Sequence, residues 1–254
     1  MLLNFKRAQV QFEALRVEAE EGSEFWQKGS YGAALSLLQS PAVGRAEVSQ
    51  AVNLLDDLLR KSSSGSAIRP FAYKTLGRIH HIRDYPGDPV DLPAARAAYS
   101  RVVEDFPDHP LAETCRFYRI QTYLEVVSEP QSVEQGVEMV RDYAESYDDQ
   151  AATSVLFEMA GESMLRLERY AEAISFFSRA YRLGLLDPGK TDIFLWRLGR
   201  LAERIEDWDT AIFAYQEMIR KTKSGRTYEA HLRLSELAKS FPKLKIEVIK
   251  LDQL

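Results

Sequence analysis

The chain of 254 residues has one cysteine, Cys115. No intramolecular disulfide can form, and neither a thiolate metal cage nor a CxxC redox pair is available, so cysteine usage leaves the compartment open. Long apolar runs are also missing. No window approaches 18 apolar residues, which excludes a helical membrane span. The opening MLLNFKRAQVQFEAL has charge at Lys6 and Arg7 but neither an apolar run nor a small-residue cleavage site after it, so it does not read as a signal peptide. The expected location is the cytoplasm, or the periplasm and cell envelope if an export signal has been removed. A dominant positive charge is lacking too: the formal net charge of −5 argues against nucleic acid and anionic membrane as partners, because both need a clustered basic face. Gly-rich phosphate loops, HExxH and GxSxG are all missing, so neither an enzyme nor a cofactor is expected.

What is present is helical periodicity. The composition, 45% apolar and 28% charged, suits a folded chain with a sizeable core. From Phe5 to Leu38 the apolar positions fit helical spacing, with a break expected near Gly29–Tyr31, which makes a helical hairpin. Further helices are predicted over Ala46–Arg60, Phe71–Arg83, Ala94–Phe106, Leu111–Val127, Val133–Tyr147, Thr153–Leu167, Tyr170–Leu183, Ile193–Ile205, Trp208–Lys221 and Thr227–Ser240. The ten prolines fall at or near the ends of these segments, where a residue without an N–H does least harm. Asp84–Pro93 carries three prolines and reads as an extended loop, and SSSGS at Ser62–Ser66 as a flexible connector between subdomains. In the tail, Leu244, Ile246 and Val248 alternate with Lys245 and Glu247, the period of a half-buried strand, but Ile249 breaks it. The tail therefore reads either as a strand or as a helix.

Two stretches repeat each other. AGESMLRLERYAEAISFF (Ala160–Phe177) and LGRLAERIEDWDTAIFAY (Leu198–Tyr215) each place Gly and Ala 12 residues apart, Gly161 with Ala173 and Gly199 with Ala211. An aromatic follows four residues later, Phe177 or Tyr215. The small residues let two antiparallel helices approach, and the aromatic is expected to fill the gap toward the next hairpin. A period of this size means an array architecture.

These residues resemble the tetratricopeptide repeat, whose unit of 34 residues has small and aromatic residues at such positions. Ser154–Asp187 and Asp192–Gly225 match it, and Gly77, Ala95, Tyr99 and Pro107 match with an insertion; Trp26–Leu38 looks like a degenerate turn and second helix. DFPDHPLAETCRFYRIQTYL (Asp105–Leu124) looks like repeats common in bacterial envelope-assembly proteins. The resemblance implies an all-α fold, a right-handed superhelix of about five stacked hairpins with a short strand as one reading of the tail. Residues 1–61 would form the degenerate N-terminal hairpins, 70–240 the array and 241–254 the tail. It also implies a protein-interaction scaffold or adaptor that binds a partner segment along its concave face and uses its ends for a homodimer or a larger assembly. The alternative is a regulatory or small-ligand-sensing module with the Asp84–Pro93 loop over a pocket.

Carried onto the matching repeats, the concave positions are Phe71, Lys74, Arg78, His81 and Ile82, then Val155, Glu158, Glu162, Leu165 and Arg166, then Ile193, Trp196, Arg200, Glu203 and Arg204. Partner binding is assigned to Lys74, Arg78, His81, Glu158, Glu162, Trp196, Arg200 and Arg204, with exposed Trp196 beside Arg200 and Arg204 as an apolar anchor next to cations. Family members that clamp a C-terminal carboxylate use lysines and asparagines, and this chain has only Asn4 and Asn53, neither in place. His80, His81 and Asp84 do not read as a metal site, because adjacent helical residues point about 100° apart. Cys115 reads as core. Asp56–Asp57 and Asp148–Asp149 read as solvated or capping carboxylates rather than catalytic pairs.

Overall fold

The computed structural model describes residues 4–41, 43–82, 89–126, 129–147 and 149–249. The first half of the Asp84–Pro93 loop, including Asp84, lies outside them, as do Val127 and Asp148. The described residues form twelve α-helices and no strand. They are α1 (Phe5–Glu18), α2 (Glu24–Leu38), α3 (Arg45–Lys61), α4 (Arg69–His81), α5 (Leu92–Asp105), α6 (Leu111–Leu124), α7 (Pro130–Ser146), α8 (Gln150–Arg166), α9 (Tyr170–Leu183), α10 (Thr191–Arg204), α11 (Trp208–Lys221) and α12 (Gly225–Ser240). None is long and apolar enough to cross a membrane. Prolines stand in the first turn of α4, α5 and α7 at Pro70, Pro93 and Pro130, where the missing N–H costs nothing.

The chain forms two compact units, Met1–Thr122 and Tyr123–Leu254, which divide inside α6. Within each unit the helices pack on their neighbours in sequence order, as in an all-α helical array. The connector Ser62–Ser66 lies inside the first unit, where Arg69 donates to the carbonyls of Leu59 and Ser62 at 2.6 and 3.2 Å and so closes the end of α3.

In the first unit, α1 and α2 form the opening hairpin, but its turn is not at Gly29–Tyr31. It lies at residues 19–23, where Gly22 takes a φ of 80° and Ser23 caps α2 by accepting from the Trp26 N–H. Gly29 and Gly32 are interior to α2 and serve close approach instead. A Cβ at Gly29 would come within 2.7 Å of the Arg16 backbone nitrogen, and one at Gly32 would strike the Phe12 ring. Beside this hairpin, Asp57 binds Arg16 at 2.8 Å and Arg60 at 2.6 Å, while Arg16 and Lys61 lie 5.4 and 5.6 Å from the Trp26 ring. Asp57 is thus a structural anchor between α1 and α3 rather than a solvated carboxylate. The core beneath it contains Trp26, Leu55, Leu58, Leu76 and Ile79.

The three sequence-matched hairpins α4/α5, α8/α9 and α10/α11 share one contact. The ring of Tyr99 covers Gly77, that of Phe177 covers Gly161, and that of Tyr215 covers Gly199. The aromatic therefore closes its own hairpin, and two of the three rings also reach the next helix as the sequence suggests: Phe177 meets Phe194 of α10 at 5.7 Å and Tyr99 stacks on Tyr118 of α6 at 5.6 Å. Each ring needs the space a side chain would take, which explains the glycine. The turns of the two best-matched hairpins agree at backbone level as well. Glu168 and Glu206 both take left-handed φ, 58° and 60°. The following N–H groups, of Arg169 and Asp207, both donate to carbonyls five residues back, Met164 and Ala202, at 2.9 Å.

The tail through Ile249 is neither strand nor helix beyond a 3₁₀ turn at Pro242–Leu244. Ile246 and Val248 are half-buried and Glu247 is exposed, so the alternation reflects a chain lying on one surface. Side chains stand where a strand partner would: Gln216 donates to the Glu247 carbonyl at 3.0 Å, and His231 Nδ1 meets the Ile249 carbonyl at 2.9 Å.

Candidate partner-binding surfaces

In the first unit, Lys74 and Arg78 stand one turn apart on α4 and edge the same cleft. Its floor and walls come from Tyr31, Leu35 and Leu38 of α2, Phe71 and Ile79 of α4, and Leu111 of α6, around a volume of about 230 Å³. Phe71 is 39% exposed, with its ring 6.3 Å from Tyr31 and 5.3 Å from His109. The wall is pinned where Tyr31 and Thr75 share a hydrogen bond of 3.2 Å, and burial pushes the Tyr31 phenol above its ordinary pKa. Neither Lys74 nor Arg78 has an ion-pair partner among the described residues.

His81 does not share this surface. It is 8% exposed and faces inward, with Nδ1 3.4 Å from the Tyr99 hydroxyl and its ring against Tyr118. Its register on α4 is close to that of Lys74, seven residues back, but Tyr99 of α5 and Tyr118 of α6 cover it there. No group of three metal-ligating side chains occurs among the described residues. Cys115 is fully buried; burial pushes its thiol up to about 11 against the pull of the Lys74 charge, and it serves packing rather than nucleophilic chemistry.

In the second unit, the assigned residues are largely engaged with the protein itself. Glu162 is gripped by both Arg197 guanidinium nitrogens, one of them at 2.7 Å, while Arg197 lies 5.1 Å from the Phe177 ring. Glu158 Oε1 is buried without a hydrogen-bond partner. Burial raises its carboxyl above the usual range, helped by the charge of Glu162 and opposed by a backbone hydrogen bond from Leu186. Trp196 is half-buried rather than exposed, 5.6 Å from the Tyr215 ring, because its face of α10 closes onto α11. Arg200 pairs with Glu203 at 3.0 Å, and Arg204 lies 4.2 Å from the ring of Tyr170.

Glu203 is the centre of this side. Only 8% of its side chain is exposed, and it accepts from Tyr215 of α11 at 2.7 Å, from Arg200 of α10, and from Arg233 of α12 at 2.7 and 2.8 Å. Burial alone would raise this carboxyl, but the hydrogen bonds of Arg233 and Tyr215 and the charges of Arg233 and Arg200 together hold it below the usual carboxylate range. The partner is Arg233, which binds Glu236 as well. Neither Arg233 nor Arg197 is among the residues assigned from the repeat pattern. The α2 wall of the cleft, Tyr31, Leu35 and Leu38, is also missing from that assignment. Its only signal in the sequence is the apolar spacing of Trp26–Leu38.

No family model matches the chain, and no curated protein does.

Proposed function

We propose that the chain is a non-enzymatic scaffold or adaptor built of tetratricopeptide-like hairpins, holding a partner's peptide segment in the cleft between α2 and α4. The observation that carries this reading is the pair Lys74 and Arg78: two cations one turn apart, without carboxylate partners among the described residues, at the edge of an apolar cleft with a half-exposed Phe71. In a chain of net charge −5, two such cations recruit acidic groups locally rather than through a long-range field. The occupant is a protein segment with an apolar residue for the cleft and an acidic residue beside it for Lys74 and Arg78. The shared glycine–aromatic contacts and turns support the comparison with tetratricopeptide repeats.

Selection from a random peptide display library tests the reading. Enriched peptides should combine Asp or Glu with Leu, Ile or an aromatic, and Lys74→Glu and Arg78→Glu should each weaken them by about tenfold or more. Enriched peptides that bind both variants as well as the wild type would refute this site. Arg200→Glu serves as a control with no effect on peptide binding, since Arg200 is held by Glu203.

A further inference from the structure

The second unit has a cleft of about 380 Å³ between the end of α7, the first turns of α8 and the last turns of α9. Tyr147, Thr153, Phe157, Arg179, Arg182 and Leu183 line it. Its volume falls in the range typical of small-molecule sites, roughly 300–1,000 Å³.

The arginines distinguish it. In this unit Arg141, Arg169, Arg197, Arg200, Arg220, Arg226 and Arg233 each pair with a carboxylate, while, among the described residues, Arg166 donates to the Leu124 carbonyl and Arg204 lies alone over the Tyr170 ring. Arg179 and Arg182 have no carboxylate partner among the described residues, although they stand three residues apart and reach one cleft. The Arg179 guanidinium lies 4.2 Å from the centre of the Phe157 ring, a contact that orients the fork without using its N–H groups. Phe157 is itself 3% exposed, so this support is rigid. Thr153, on the same wall and 5% exposed, has its hydroxyl buried with no hydrogen-bond partner, a cost that a polar ligand would offset. Asp149, which caps α8, accepts from the Ala152 N–H at 3.0 Å.

We infer that this cleft binds a small organic anion, whose carboxylate or phosphate is held by Arg179 and Arg182 and whose apolar body lies along Tyr147 and Leu183. Carboxylate and phosphate present the same paired oxygens to an arginine fork, and a net charge of −5 means that capture depends on these two residues rather than on the overall field. The site belongs to a different unit from the Lys74–Arg78 cleft, so each stands or falls separately.

Calorimetric titration of the full chain with phenyl phosphate, benzoate and inorganic phosphate tests it. One aryl anion should bind saturably at one site per chain and more tightly than inorganic phosphate. Phenyl phosphate ahead of benzoate identifies a phosphate ligand, and the reverse order a carboxylate. Arg179→Gln and Arg182→Gln should each weaken binding by about tenfold, with Arg179→Lys intermediate because it keeps the charge and loses the fork. Both arginines are exposed, so thermal melts should show all three variants folded. Peptides selected on the Lys74–Arg78 cleft should bind all three as they bind the wild type. The inference is overturned if no probe binds saturably up to about 10 mM, beyond the range of weak specific binding. It is also overturned if the two glutamine variants bind like the wild type, or if inorganic phosphate binds as tightly as the aryl anions.

Discussion

The hydroxyl of Tyr215 donates to Glu203 Oε1 across 2.7 Å, while the ring of the same tyrosine covers Gly199. One side chain thus closes the α10/α11 hairpin by packing and orients the carboxylate that Arg233 of α12 grips. Three successive helices are tied at one point, and that point controls how the end of the array holds together.

Glu203→Gln should therefore destabilise the protein. Removing the charge strands Arg233 in a pocket shaped for a carboxylate, and because Arg233 is 35% exposed and able to rehydrate, the loss is about 2 kcal/mol rather than the larger cost of a fully buried pair. Urea denaturation at pH 7 measures it. The pH dependence follows from the lowered carboxyl pKa of Glu203 in the fold. Its contribution is fully present above the unfolded value of about 4.3 and is lost as pH falls through the lower folded value. The gap between wild type and Glu203→Gln should accordingly narrow below pH ~4. A gap that stays constant to pH ~2 would remove the charge from the explanation.

The glycines under the aromatic rings should resist alanine. A Cβ at Gly199 would lie 2.6 Å from Tyr215 Cε1, and one at Gly161 2.6 Å from Phe177 Cε1. Alanine gains about 1 kcal/mol of helix propensity at either site, but displacing a buried ring costs more, leaving a net loss of about 1–2 kcal/mol. Gly225, in the first turn of α12, has open space around its would-be Cβ. Gly225→Ala should be neutral or stabilising by about 0.5 kcal/mol. Thermal melts of the three variants check the ordering. Equal effects at all three positions would mean that the rings yield freely.

Cys115 offers a single chemical reporter. Its buried thiol, raised to about 11, is almost wholly protonated at pH 8. Iodoacetamide should label the native protein at least roughly a hundredfold more slowly than the urea-unfolded chain, on thiolate fraction alone. Mass spectrometry over time measures the ratio. Comparable rates in the two states would place the thiol at the surface.

Helix boundaries were legible where local rules act alone. Tyr170–Leu183 and Trp208–Lys221 follow from helical spacing and match α9 and α11 residue for residue. Glycine was ambiguous for a physical reason: the same absence of a Cβ serves a turn and a close approach. Gly22 turns the chain between α1 and α2, and Gly29 admits the backbone of α1. Tail alternation was likewise compatible with any surface that buries one side, since no local rule supplies a strand partner.

For the candidate surfaces, the register of α4 placed Lys74 and Arg78 together, because residues four apart share a helix face whatever surrounds them. Neighbours from distant sequence decided the rest. Glu162 meets Arg197 35 residues on, and Glu203 meets Arg233 30 residues on. The α2 wall comes from some forty residues before Lys74. Periodicity determined which residues share a face of one helix, because that depends on the backbone helix alone. Whether a charge on that face is free or already paired is a property of the facing helix, and only tertiary packing brought that helix within reach.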